Sequence, residues 1–377
     1  MADTTTADRW PRRLSPPADT ILDCLETAGW TQADLAERMG RTKKHVQDLV
    51  KNKTRITSDT AVELSRTLGG SVQFWLNLEA NYQAALAERE SLKRHEGDRP
   101  WLKELPVADM QKLGWIEPAN QATAKVDACL RFFGVASVKG WRDRYASQLV
   151  QFRTGRNGPG PKVGAIAAWM RRAETVAGRI STASWNRPRL MEIVNAARAR
   201  TRVSDQIAAL KEVQTEWAAA GVAVVFVRRP KACSVFGAAE WLASDRAMIA
   251  VSDRYATADQ LWFTLLHEAA HLLLHGKKKP HVDDADIGNE DTEEHEADAF
   301  AAERLIPRRA WEAFLGGLHG RRPTLPDVHQ LADAQHVAPG VVVGRLQHER
   351  RIPYASSLRS FRVSFDTAMF AKLEEQS

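Results

Sequence analysis

His267-Glu268-Ala269-Ala270-His271 places two imidazoles four residues apart, with a carboxylate directly after the first. On an α-helix, residues i and i+4 share a face, so both rings can bind one metal ion. Glu268 sits about 100° further round the axis, where it can reach an activated water without becoming a ligand, as a general base must. The flanks, Leu261-Trp262-Phe263-Thr264-Leu265-Leu266 and Leu272-Leu273-Leu274, are apolar. Inside such a helix the three polar side chains would be stranded in a core at a cost of several kcal/mol unless a metal employs them. The long metzincin continuation needs glycine at 274 and histidine at 277; Leu274 and Lys277 exclude it. His275 lies one turn beyond His271 but precedes Gly276, so it is expected to end the helix and bond locally rather than ligate.

A third ligand must come from elsewhere. In the next helical pattern Ala297, Phe300, Ala301 and Leu305 define a buried face. Glu294 falls on it three residues before Ala297, and Asp298 follows on the same side. Glu294 is therefore the expected third ligand and Asp298 the acceptor that orients a histidine ring, with Glu296 as the competing ligand. The expected cofactor is zinc, with manganese as the alternative, and water in an open fourth position. His281–Asp298 holds nine acids and no Lys or Arg. For Asp283, Asp284 and Asp286 a solvated loop is preferred over a lid whose negative field would favour a basic substrate segment. Tyr255, His329 and His348 are unranked candidates for stabilising an oxyanion.

Near the other end, Gln32–Met39 and Thr42–Val50 read as two short helices around Gly40, the pattern of a DNA-binding helix-turn-helix. Thr31 and Thr42 are capping residues, and Asp34 stands where a capping box wants an acceptor. Between Arg38 and Arg55 there are seven basic residues and one acid, whereas residues 1–100 hold fifteen of each. The positive charge is thus concentrated on one element. Arg41, Lys51 and Lys53 at its ends suit phosphates; Lys43, Lys44 and Gln47 suit base edges, with Gln32 and Thr42 beside them.

These segments resemble known families. Gly29-Trp30-Thr31-Gln32-Ala33-Asp34-Leu35-Ala36 and Phe74-Trp75-Leu76-Asn77-Leu78-Glu79-Ala80-Asn81-Tyr82 resemble the HigA-type antitoxins of the Cro/repressor group over about residues 15–90. That resemblance implies a five-helix domain that dimerises on an operator with two half-sites, although Lys43-Lys44-His45 departs from the usual smaller polar residues. The set His267-Glu268-x-x-His271, Glu294-x-x-Ala297-Asp298-x-Phe300-Ala301 and Leu305-Ile306-Pro307, with Ala338–His348, resembles the ImmA/IrrE metallopeptidases over about residues 105–355. It implies a thermolysin-like minimal zinc fold that cleaves a protein partner, a DNA-bound repressor in known cases.

The rest of the chain must position these groups. It has 377 residues, 44% hydrophobic and 27% charged, with net charge +6, which suits a folded protein of two or three domains. Three scattered cysteines argue against a disulfide framework, and no segment has the length of a membrane span. With no export signal in residues 1–17, a cytoplasmic location is expected. Ala223–Val227, Ala247–Val251 and, more weakly, Val235–Ala239 read as strands in an otherwise helical chain, a mainly α fold with a small β-sheet (α+β). The expected organisation is a flexible tail at 1–17, a helix-turn-helix domain at 18–95, a helical connector at 101–210, a zinc metallopeptidase-like domain at 211–352 and a tail at 353–377. Gly155–Pro161 is expected as a loop, and the twelve scattered tryptophans as core anchors. The function so read is a homodimeric, operator-binding transcriptional regulator whose zinc endopeptidase cleaves a protein partner such as a repressor or toxin. The alternative is an antitoxin or ligand-sensing repressor whose peptidase-like domain is catalytically silent and serves docking or structure.

Overall fold

The computed structural model describes residues 15–146, 161–254, 257–275, 281–284 and 292–375. Residues 1–14 of the expected 1–17 tail, most of the Gly155–Pro161 loop, and Tyr255 and Asp286 lie outside these residues. The chain divides into two compact units, Met1–Gly97 and Asp98–Ser377. The fold is mainly helical with one small sheet.

The first unit contains α1 (Pro17–Ala28), α2 (Gln32–Met39), α3 (Lys43–Val50), α4 (Ser58–Thr67) and α5 (Val72–Arg94). Ile21, Leu25, Leu35, Ala36, Val46, Leu49, Leu64 and Trp75 meet in its core. The α2 start is a reciprocal capping box: Asp34 N donates to Thr31 Oγ1 at 3.3 Å while Thr31 N donates to Asp34 Oδ2 at 2.8 Å. Gly40 ends α2 at φ 65°, a left-handed conformation that glycine adopts without steric cost, and so turns the chain into α3.

The second unit begins with α6 (Val107–Lys112), α7 (Ala122–Phe133), α8 (Val138–Trp141), α9 (Pro161–Ala177), α10 (Arg187–Arg200) and α11 (Gln206–Ala218). The sheet follows: β1 (Val222–Val227), β2 (Val235–Ala243) and β3 (Arg246–Ser252), then α12 (Ala258–Leu274), β4 (His281–Asp284) and α13 (Thr292–Leu305). Four helices complete it: α14 (Arg308–Gly317), α15 (Leu325–Gln335), α16 (Pro339–His348) and α17 (Thr367–Glu375). The sheet order is β1-β3-β2-β4, with β1 parallel to β3 and the other pairings antiparallel.

Successive residues of a strand point to opposite faces, and both faces of this sheet are covered. Val222, Val224, Phe226, Ile249 and Val251 join the cluster that contains α12. Ala223, Val225, Val227, Met248 and Ala250 join the cluster that contains α7 and α9. This explains why β1 is apolar without alternation, as strands covered on both sides are.

Two expectations are corrected here. The segment 101–210 is no connector: α9 forms the second cover of the sheet, and Trp169 Nε1 donates to Val227 O at 3.1 Å. Nor is 353–377 a tail. Ala258 N donates to Val363 O, Phe370 and Leu373 are buried, and Phe370 meets Phe226 edge-on with ring centroids 6.1 Å apart. β4 is a further difference, a short edge strand in a stretch whose acidic composition reads as loop.

α12 is held along its length. Arg362 donates to Asp259 Oδ2 at 2.9 Å near its start, Trp262 Nε1 donates to Gln206 Oε1 at 3.0 Å, and Arg187 donates to Leu273 O at 3.1–3.2 Å near its end. Arg198, also on α10, donates to Arg304 O at the end of α13. One helix of the supposed connector therefore grips both helices that carry the metal-type side chains. If the C-terminal segment is core, Phe370→Ala should lower unfolding stability by about 3–5 kcal/mol in urea denaturation, as a buried phenylalanine does and a tail residue does not.

Candidate metal centre

His267 and His271 are spaced so that α12 turns both toward α13. Their Nε2 atoms are 3.0 Å apart. Glu294 completes a triangle, with Oε2 at 3.2 Å from His267 Nε2 and Oε1 at 3.5 Å from His271 Nε2. Both imidazoles are buried, and the Glu294 side chain is 18% exposed. Among the described residues these three form a potential metal-ligating set. Glu296 lies outside it, so the geometry favours Glu294 for the third position.

The donor chemistry fits a cation. His267 Nδ1 donates to Asp298 Oδ1 at 2.9 Å, which leaves Nε2 as a lone pair aimed at the triangle. Burial lowers the His271 pKa, so this ring is held neutral despite the opposing influence of Glu294. Burial pushes the Glu294 carboxyl up, but the adjoining His267 and His271 rings outweigh it and hold the group well below the usual carboxylate range. Two imidazole nitrogens and an ionised carboxylate, converging in a buried space, are what a divalent ion with nitrogen and oxygen ligands requires.

Glu268 is fully buried on α12 and turned toward β2. It fits there because residue 237 has no side chain: a Cβ on Gly237 would stand 2.5 Å from Glu268 Oε1 and 2.6 Å from Thr264 Cγ2. The sequence pattern singled out Glu268 but not the glycine that makes room for it; only the β2–α12 packing shows that dependence. His329 packs edge-on against Phe361, and His348 is exposed at the end of α16. These placements give neither a role in stabilising an oxyanion.

In the first unit, Lys43, Lys44, Gln47, Lys51 and Lys53 are exposed on α3 and the turn after it, and Gln32 is half-buried. Thr42 accepts from His45 N at 3.2 Å and so caps α3. Arg41 is committed to Glu63 on α4, with its Nε 3.0 Å from both carboxylate oxygens.

Residues 21–75 match the helix-turn-helix family model, and residues 232–346 match the peptidase model described as the IrrE N-terminal-like domain. Two family models therefore match separate parts of the chain, a helix-turn-helix in the first unit and an IrrE-like domain in the second. The second match contains β2, β3, α12 and α13 and hence the whole metal triangle. The chain is 32% identical over 66 residues to virulence-associated protein I of Dichelobacter nodosus, covering 18% of this chain and 61% of that protein. It thus spans less than two thirds of the length of that curated relative. It is also similar to two solved structures. One, from Nostoc punctiforme, is described as an antidote protein of a plasmid maintenance system (26% identity, 22% of this chain, 91% of that chain, TM-score 0.22). The other is a HigA-family addiction module antidote protein from Coxiella burnetii (25% identity, 23% of this chain, 95% of that chain, TM-score 0.21). No helix among the described residues is long and apolar enough to cross a membrane.

The IrrE-like domain should bind one divalent ion per chain. Elemental analysis after dialysis should find that ion in the unaltered protein and its loss in His267→Ala and Glu294→Ala, which remove corners of the triangle.

Proposed function

We propose that the protein is a DNA-binding transcriptional regulator whose IrrE-like domain is a zinc endopeptidase acting on a protein partner, a repressor or a toxin. The observation that carries this reading is the convergence of His267, His271 and Glu294 on one helix pair, with Glu268 next to His267 in the same helix. The match of residues 232–346 to a peptidase family supports it.

His267, His271 and Glu294 would hold the zinc, and Asp298 fixes the His267 ring so that its Nε2 faces inward. The bound metal would supply Lewis acidity, polarising the scissile carbonyl and making the attacking water more acidic. Glu268 takes the proton of that water as it attacks and delivers it to the departing amine nitrogen. Its burial beneath β2 keeps bulk water from competing for that proton. Gly237 leaves the space the carboxylate occupies, so its lack of a side chain is part of the arrangement.

Lys43, Lys44, Gln47, Lys51 and Lys53, exposed on or just after α3, would read and grip an operator. Thr42 serves α3 as a cap, and Arg41 would reach a phosphate only by giving up Glu63. A homodimer would present two copies of α3 to two half-sites.

Incubating the purified protein with the products of neighbouring genes tests the peptidase reading. The unaltered protein should cleave one of them, and Glu268→Gln should keep its metal while cleavage falls by about 10²–10⁴-fold. A metal-loaded protein that cuts none of them, or a Glu268→Gln variant that cuts at the normal rate, would overturn that reading. Gly237→Ala should also retain metal and lose cleavage, because the added methyl group pushes the Glu268 carboxylate out of place.

Operator binding is tested by salt titration. Log affinity should fall linearly with log salt, by about 0.9 for each phosphate neutralised, and replacing Lys51 and Lys53 by alanine should flatten the slope by about 2.

A further inference from the structure

His275 does more than end α12. Its side chain is 4% exposed, and its two ring nitrogens face different partners: Nδ1 lies 3.0 Å from His271 Nδ1, and Nε2 lies 3.1 Å from Glu296 Oε2 on α13. A carboxylate only accepts, so the proton of the second contact belongs to His275 Nε2. In the neutral ring Nδ1 is then an acceptor, and the proton between the two histidines belongs to His271 Nδ1. His271 Nε2 is left as a lone pair, 3.5 Å from Glu294 Oε1 and 3.0 Å from His267 Nε2.

We infer that His275 and Glu296 are positioning residues that fix the tautomer and ring angle of His271 for metal binding. The inference rests on the reading of His267, His271 and Glu294 as the metal site. Asp298 meets His267 Nδ1 directly, whereas the path from His271 Nδ1 to Glu296 on α13 runs through the His275 ring. α13 then supplies one ligand and the anchors of both histidines, at positions 294, 296 and 298. Glu296, the competing candidate for the third ligand, acquires a different task.

The test uses the full chain, with metal affinity measured by chelator competition and the visible spectrum recorded with cobalt(II) in the site. His275→Phe keeps the ring volume and removes both nitrogens; His275→Asn restores an acceptor near the Nδ1 position. Glu296→Ala alters a side chain that is 57% exposed, so it tests the contact without disturbing the core. His275→Phe should weaken metal binding about 10–100-fold and shift the cobalt spectrum. Glu296→Ala should weaken it several-fold, and His275→Asn should recover most of the loss. Unaltered affinity and spectrum in both His275→Phe and Glu296→Ala would overturn the inference, as would His275→Asn performing no better than His275→Phe. Failure of the unaltered protein to bind any metal would refute the site itself, a result distinguishable from either of these.

Discussion

Three electron-pair donors crowd together between α12 and α13, with contacts of 3.0, 3.2 and 3.5 Å. Such a group repels itself unless positive charge sits among its members, and burial removes the water that would otherwise screen it. The surrounding contacts serve to keep the donors there. Each histidine has its Nδ1 occupied, so that Nε2 faces inward. α12 and α13 pack directly against each other, and α10 holds a main-chain carbonyl of each: Leu273 O by Arg187 and Arg304 O by Arg198. A shift of either helix by a fraction of an ångström would change both distances to Glu294 together.

The sheet explains why so much chain is needed for so small a site. α12 needs a flat apolar surface, which one face of β2 and β3 provides. The opposite face of the sheet is also apolar and must be covered, and α9 covers it, with α7 packed against α9. The helices before the sheet are therefore a thermodynamic requirement of the strands, and the domain extends back to Asp98. The same argument holds at the C-terminal end. α17 covers β1 through Phe370 and Leu373, while Glu374 is buried against Arg172 and Arg228.

Local order was legible in the sequence and long-range order was not. The spacing of His267 and His271 put both imidazoles on one face of α12 because residues four apart lie one above the other on a helix. Glu294 and Asp298 followed from their register with Ala297 and Ala301. The capping box at Thr31 and the turn at Gly40 are likewise set within a few residues, and the three apolar strands announce themselves by composition. The role of Gly237 depends on which strand α12 crosses, and no local pattern contains that. Arg187 and Arg198 resemble any other arginines of a polar helix until their carbonyl partners, 86 and 106 residues away, are known. Residues 353–377 lack a long apolar run, so the burial of Phe370 and Leu373 depends on neighbours far off in sequence. β4 is four residues long and acidic, and its strand character comes from pairing with β2.

Charge distribution gives the helix-turn-helix unit its polarity without a large net charge. Its basic and acidic residues balance in number, yet the exposed lysines gather on α3 and the turn after it. At physiological ionic strength, fields fade over about 8 Å, so a polyanion close to the surface responds to that local cluster more than to the balance of the whole unit. The Arg41–Glu63 pair limits the cluster from one side, since it neutralises a base at the start of α3 and ties it to α4. An exposed pair of this kind contributes little to stability. Its stronger consequence is geometric: it directs the Arg41 guanidinium toward α4 and leaves Lys43, Lys44 and Gln47 as the side chains presented by the first turns of α3. Base contacts in this motif come from the start of the second helix, the stretch of this chain where Lys43, Lys44 and Gln47 are exposed.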